Sequence, residues 1–130
     1  MMQIHHIGYL VKNIEKARDS FAVLGFSVVQ NVIYDPYREI DILFMEKGGY
    51  TVELVMPKSD TSVVSKLIKT YKNTPYHLCY ESDQLETDIA QLSTSGFVQI
   101  DVPTPAPALD NRRVCFLMGV QIGLIEILEK

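Results

Sequence analysis

The sequence repeats itself, and this limits the folds open to it more than any other property. His6-Ile7-Gly8-Tyr9 lies over His77-Leu78-Cys79-Tyr80 at an offset of 71 residues. The register continues well beyond that opening. Glu15 falls on Glu86, Phe21 on Leu92, Gly25 on Gly96, Phe26 on Phe97 and Val29 on Ile100. Such self-similarity describes one supersecondary unit used twice, each copy burying a face that it cannot bury alone.

Each copy reads as a strand, a helix stopped by a glycine, and then three further extended segments. Asn13 and Asp83 are N-cap residue types, each ahead of apolar positions at helical spacing. The buried stripe of the first helix is expected to be Ile14, Ala17, Phe21 and Leu24, and that of the second Leu85, Ile89 and Leu92. Gly25 and Gly96 supply the C-terminal stops. Arg38 to Lys47 and Tyr50 to Met56 read as strands, as do Arg112 to Met118 and Ile122 to Leu128. Lys47-Gly48-Gly49 and Gly119-Val120-Gln121 have the character of hairpin turns. From Thr61 onward, Val63, Val64, Leu67, Ile68 and Tyr71 fall at helical spacing and predict a linking helix. The fold class expected is therefore α+β, with two repeated βαβββ modules whose mixed sheets form a shared cleft. Residues 1–130 form one domain on this reading, with module 1 over about 3–57, the linking helix over about 61–72 and module 2 over about 75–129.

Composition narrows the function classes. The chain has 130 residues, 47% hydrophobic and 22% charged, which suits a globular domain with a real core. Apolar runs such as the one around Ile40 to Met45 contain charges and fall far short of the roughly 20 residues a membrane helix needs. A net charge of −4 argues against a nucleic-acid surface, which carries a basic stripe. Cys79 and Cys115 are too few for a disulfide scaffold, and His5 and His6 leave no room for an apolar secretory segment after Met1. A reduced, cytoplasmic setting is expected.

Four polar residues do not belong to a plain core. His6 and His77 occupy equivalent repeat positions within apolar strands, and alternation puts His6 and Gly8 on one face with Ile7 and Tyr9 on the other. His5 points the other way. Glu53 and Glu126 are each flanked by aliphatic residues on the last strand of their module. Burying a carboxylate is costly unless it is paired or binds a metal, although a strand with one wet face also tolerates a glutamate. The glutamates stand 73 residues apart, two more than the histidines, which hairpins differing in length by about that much would absorb. A pseudo-two-fold axis would bring all four to one point. Two imidazoles and two carboxylates suit one divalent first-row ion, whether Zn, Ni, Co, Mn or Fe.

These segments, in this order, resemble the vicinal oxygen chelate superfamily, which includes glyoxalase I, methylmalonyl-CoA epimerase, extradiol dioxygenases and bleomycin-resistance proteins. The resemblance is carried by His6 to Val11, Leu24-Gly25-Phe26, Val52 to Pro57, Tyr76 to Tyr80, Arg113 to Leu117 and Gly123 to Leu128. The layout is most similar to the methylmalonyl-CoA epimerase branch, whose metal positions fall on His6, Glu53, His77 and Glu126. The resemblance implies a metal-dependent isomerase or epimerase that abstracts a proton beside a metal-bound carbonyl, with Glu126 as catalytic base. It also implies a small-molecule substrate such as an acyl-CoA or a thiol adduct, and a homodimer. Glyoxalase-I-like lysis of a thiol adduct is the alternative, because glyoxalase I carries a glutamate where Glu53 stands and the epimerase carries a glutamine. A small-molecule-sequestering protein is a third reading.

Epimerisation needs two acid-base groups, one for each face of the α-carbon. The epimerase's second acid falls on Ile42 here, and the adjacent Asp41 and Glu39 alternate to the opposite face. Asp110-Asn111-Arg112-Arg113 follows a loop containing Pro103, Pro105 and Pro107. Arg112 and Arg113 are candidate substrate-binding residues, since guanidinium suits carboxylate or phosphate, and alternation lets only one of them face the site. Cys79 shares a face with His77 and reads as a small apolar filler. Tyr9 and Tyr80 read as core.

Overall fold

The structure, a computed structural model, describes residues 2–130. Gln3–Leu10 forms β1, Ile14–Val23 α1, Ser27–Asp35 β2, Ile40–Lys47 β3 and Tyr50–Pro57 β4. Ser65–Tyr71 forms α2. The second half runs Thr74–Ser82 (β5), Leu85–Thr94 (α3), Val98–Gln99 (β6), Thr104–Ala106 (β7), a 3-10 turn at Pro107–Leu109, Arg112–Gly119 (β8) and Gly123–Glu129 (β9). The α+β class and the repeated βαβββ order are both present, with a short extra strand, β7, in the second half. No helix among the described residues is long and apolar enough to cross a membrane.

Two compact units can be distinguished, His6–Tyr76 on one side and His77–Lys130 with the residues through His5 on the other. In the first, the strand order is β2-β3-β4-β1, with β1 parallel to β4 and the other pairings antiparallel. In the second, the order is β5-β9-β8-β6 with β7 also on β8, and β5 is parallel to β9. A parallel pair needs a crossover, and the helix after each module's first strand begins it.

In each unit the helix covers one face of the sheet. Ile14 of α1 packs with Leu43, Met45, Val52 and Leu54, and Ala17, Phe21 and Tyr9 close around them. Leu85 and Ile89 of α3 pack with Cys115, Leu117, Ile125 and Ile127, joined by Leu92 and Tyr80. Tyr9 and Tyr80 are thus core residues, as expected. Leu24 is not. It is the C-cap of α1 and 60% exposed, because the helix ends before that position can turn inward.

The start of α1 follows the sequence signal. Asn13 is extended at φ −139°, and its side chain accepts the Lys16 N–H at 3.0 Å, satisfying a donor that the first turn leaves open. The start of α3 does not. Its N-cap is Gln84, not Asp83. Ser82 takes over the local bonding, accepting the Gln84 N–H through Oγ and donating to the buried Asp88 carboxylate. The linking helix also starts later than expected, at Ser65. Residues 61–64 form turns, Val63 stays exposed, and the Thr61 hydroxyl is drawn to Glu39 instead.

β3 begins at Ile40 and not at Arg38, because Asp35 organises the preceding turn. Its Oδ1 accepts the backbone N–H groups of Tyr37 and Arg38, and its Oδ2 receives the Arg38 guanidinium at 2.7 Å. In the β3–β4 hairpin, Lys47 pairs with Tyr50 across Gly48 and Gly49, at φ 55° and 85°. A two-residue turn with both φ values positive matches strand twist and favours glycine. The β8–β9 hairpin closes at Gly119 and Gly123 over three residues. The hairpins therefore differ by one residue, not two, and the other extra residue lies upstream of β8.

Candidate metal centre

The face of each sheet turned away from the helix carries the polar set. In the first unit His6 and Gly8 lie on that face, and Gly8 pairs with Glu53 across β1 and β4. Glu53 in turn pairs with Phe44 of β3. His6 Nε2 stands 3.5 Å from Glu53 Oε1, and the imidazole meets the Phe44 ring edge-to-face at 5.4 Å. The second unit repeats this arrangement. Cys79 pairs with Glu126, which pairs with Phe116. His77 Nε2 stands 3.3 Å from Glu126 Oε1, and its ring meets Phe116 edge-to-face at 5.3 Å. All four ligand candidates are buried.

These separations fit a metal site. A charge-assisted N–H···O bond is about 2.8 Å long, shorter than either pair. With bonds of about 2.0 to 2.2 Å, two ligands at right or tetrahedral angles around one ion stand roughly 3.0 to 3.5 Å apart. Each histidine–glutamate pair already has that spacing. Each unit thus offers one imidazole and one carboxylate, donors that suit a divalent first-row ion, and the carboxylate offsets part of such an ion's charge.

Phe44 and Phe116 were not singled out from sequence. A signal existed, since they stand 72 residues apart, between the spacings of the histidines and the glutamates. Their edge-to-face contacts restrict the imidazole rings, and such contacts contribute about 0.5 to 1.5 kcal/mol beyond burial.

The remaining candidates are placed as follows. Ile42 lies on the same face as Phe44 and Glu53 and is buried. Asp41 is on the opposite face and pairs with Lys58 at 3.3 Å. Glu39, at φ 54°, accepts the hydroxyls of Ser59 and Thr61, which hold its carboxyl below its ordinary value. Neither acid is brought to the Glu53 face.

Arg112 shares a face with Phe116 and Glu126, two strand positions beyond Val114. Its Nη1 donates to Glu81 at 2.8 Å and its Nε to the Leu109 carbonyl. Arg113 lies on the helix face and binds both Glu129 and Glu86. Those bonds raise the arginine and hold both carboxyls below their ordinary range. A substrate anion would compete with internal carboxylates at either residue.

Cys79 is fully buried on the His77 face, and Cys115 on the helix face has its thiol pushed up to about 12, chiefly by burial. Among the described residues neither cysteine forms a disulfide.

Solved structures share this fold. A hypothetical protein from Bacillus halodurans C-125 superposes with a TM-score of 0.87 at 24% identity, over 99% of this chain and 94% of that one. Methylmalonyl-CoA epimerase from Mycobacterium tuberculosis gives 0.84 at 20% identity, over 97% and 86%. The Streptomyces coelicolor methylmalonyl-CoA epimerase in complex with 2-nitronate-propionyl-CoA gives 0.86 at 16% identity, over 100% and 95%. At such identities the likeness is one of fold. No curated protein matches the sequence. Residues 5–116 match the family described as the Glyoxalase/Bleomycin resistance protein/Dioxygenase superfamily. The chain belongs to the glyoxalase/bleomycin resistance protein/dioxygenase superfamily.

Proposed function

We propose that this chain is a divalent-metal-dependent isomerase or epimerase, with His6, Glu53, His77 and Glu126 as one ligand set in a single domain. The observation that carries the reading is the duplicated pair. Two buried histidines each face a buried glutamate at coordination spacing, and each is backed by a phenylalanine. A purely structural duplication has no need to bury a carboxylate beside an imidazole twice. When bound, a divalent ion supplies Lewis acidity that polarises a substrate carbonyl and acidifies the adjacent C–H.

The chain's own residues do the rest. Phe44 and Phe116 hold the imidazoles in orientation. Glu126 takes the proton from one face of the α-carbon, and for epimerisation Glu53, the other carboxylate of the set, returns one to the opposite face. The epimerases among the solved neighbours support this reaction class through fold alone.

The apolar Ile42 favours chemistry limited to the set's own carboxylates. That keeps glyoxalase-I-like conversion of a thiol adduct as the second reading, with Glu53 and Glu126 sharing the proton transfer. The test uses metal-loaded protein in deuterium oxide. A branched acyl-CoA should exchange its α-hydrogen, followed by NMR, and Glu126→Gln should lower the rate at least about 100-fold, the lower end of what a general base contributes. Conversion of a methylglyoxal thiohemiacetal without acyl-CoA exchange would decide for the second reading. Activity on neither substrate, with Glu126→Gln indistinguishable from wild type, would refute both.

A further inference from the structure

We infer that the substrate presents an uncharged, apolar end to the second module, with no carboxylate or phosphate on the part that lies over it. The inference rests on the shared-ion reading above and names the substrate class for it.

In both modules the glutamate divides its face into a closed end and an open end. On one side of Glu126 lie Val114 and Leu128, 1% and 0% exposed, and Cys79 stands directly beside the glutamate at 0%. Ile42 and Val55 flank Glu53 in the same way, at 5% and 0%. The other end of each face is the more exposed one, and a substrate that reaches the carboxylate from there meets its residues first. There, in the second module, Met118 and Leu124 pair with one another one step beyond Phe116 and Glu126. Val98 pairs with Met118, and the Ile100 N–H donates to the Phe116 carbonyl. Pairing and alternation put these four side chains on the His77 face. Val98, Ile100 and Met118 are 57%, 55% and 39% exposed.

The first module places different chemistry at the matching positions. Glu46 pairs with Thr51 one step beyond Phe44 and Glu53, Ser27 pairs with Glu46, and Gln30 pairs with Phe44. Its open end is polar and carries one negative charge. Neither open end holds a lysine or arginine at these eight positions. Arg112 lies past the closed end, bound to Glu81. A carboxylate or phosphate at the far end of the substrate would meet an aliphatic surface over the second module and Glu46 over the first. An alkyl or aryl flank would bury Met118, Val98 and Ile100, and hydroxyl or amide groups would suit Glu46, Thr51 and Gln30.

The probes are two hydroxamic acids of equal length, hexanohydroxamic acid and the monohydroxamate of adipic acid. Both grip a metal through the same group and differ only in a methyl or carboxylate end. Calorimetry on nickel-loaded protein should show the methyl-ended compound binding at least about tenfold tighter, or roughly 1.4 kcal/mol. Met118→Lys and, separately, Val98→Lys should erase or reverse that preference. Equal affinities, or tighter binding of the carboxylate, would overturn this inference while leaving the metal site standing. If the protein takes up no nickel, the shared-ion reading fails and takes this inference with it; if it is loaded and binds neither hydroxamate, this inference alone is overturned.

Discussion

Replacing Glu126 with glutamine separates a metal ligand from a structural ion pair, because the two roles predict opposite behaviour when metal is removed. If His77 and Glu126 were a structural ion pair, their 3.3 Å separation would give an attraction of about 5 kcal/mol at an effective dielectric of 20. Breaking a buried pair costs a comparable 3 to 5 kcal/mol. With about 4 °C lost per kcal/mol in a domain of this size, chelated Glu126→Gln would melt about 12 to 20 °C below wild type. A carboxylate kept for a cation behaves otherwise. With chelator present its desolvation goes uncompensated, so the amide should be neutral or mildly stabilising, within about 1 kcal/mol.

Metal reverses the order. At 100 times its dissociation constant an ion stabilises wild type by about 2.7 kcal/mol, or roughly 10 °C. If the lost ligand weakens binding about 100-fold, the same concentration gives the variant only about 0.4 kcal/mol. Thermal melts of both proteins, in chelator and with nickel, cobalt, manganese or zinc, give all four values. A large drop in chelator with an unchanged metal response would refute the ligand assignment.

Phe116→Leu keeps volume nearly constant but removes the edge contact to His77. It should cost about 1 kcal/mol of stability and weaken metal binding severalfold, as followed by metal titration, with Phe44→Leu doing the same at His6. Arg113→Met should melt below wild type at pH 7. Because Arg113 holds Glu129 and Glu86 below their ordinary values, the stability it gives is present above the unfolded carboxylate range and lost as pH falls through the depressed values. The gap should therefore close towards acid pH, and a gap that widens there would contradict the assignment. Asn13→Ala removes the α1 cap and should cost about 1 kcal/mol in chemical denaturation, with metal affinity unchanged.

The repeat was legible because both modules solve one physical problem in the same way. Period-2 alternation fixed which face His6 and His77 share, apolar spacing fixed the helix faces, and the scarcity of buried carboxylates marked Glu53 and Glu126. The errors came where local bonding competes. Asp83 has the right chemistry for a cap, but Ser82 and Asp88 bond to each other and move the helix start to Gln84. Leu24 fits the apolar spacing yet falls past the last helical turn.

Tertiary structure alone decided three things. Strand register put Gly8 opposite Glu53 and Cys79 opposite Glu126, and so brought each histidine to its glutamate at ligand spacing. The same register turned Phe44 and Phe116 from ordinary core residues into supports for the imidazoles. It also put Arg112 on the site face and Arg113 on the helix face, which a dipeptide of identical residues could not reveal. Alternation along a strand is a property of the chain itself, but which face is covered, and what stands across from it, depends on pairing between segments far apart in sequence.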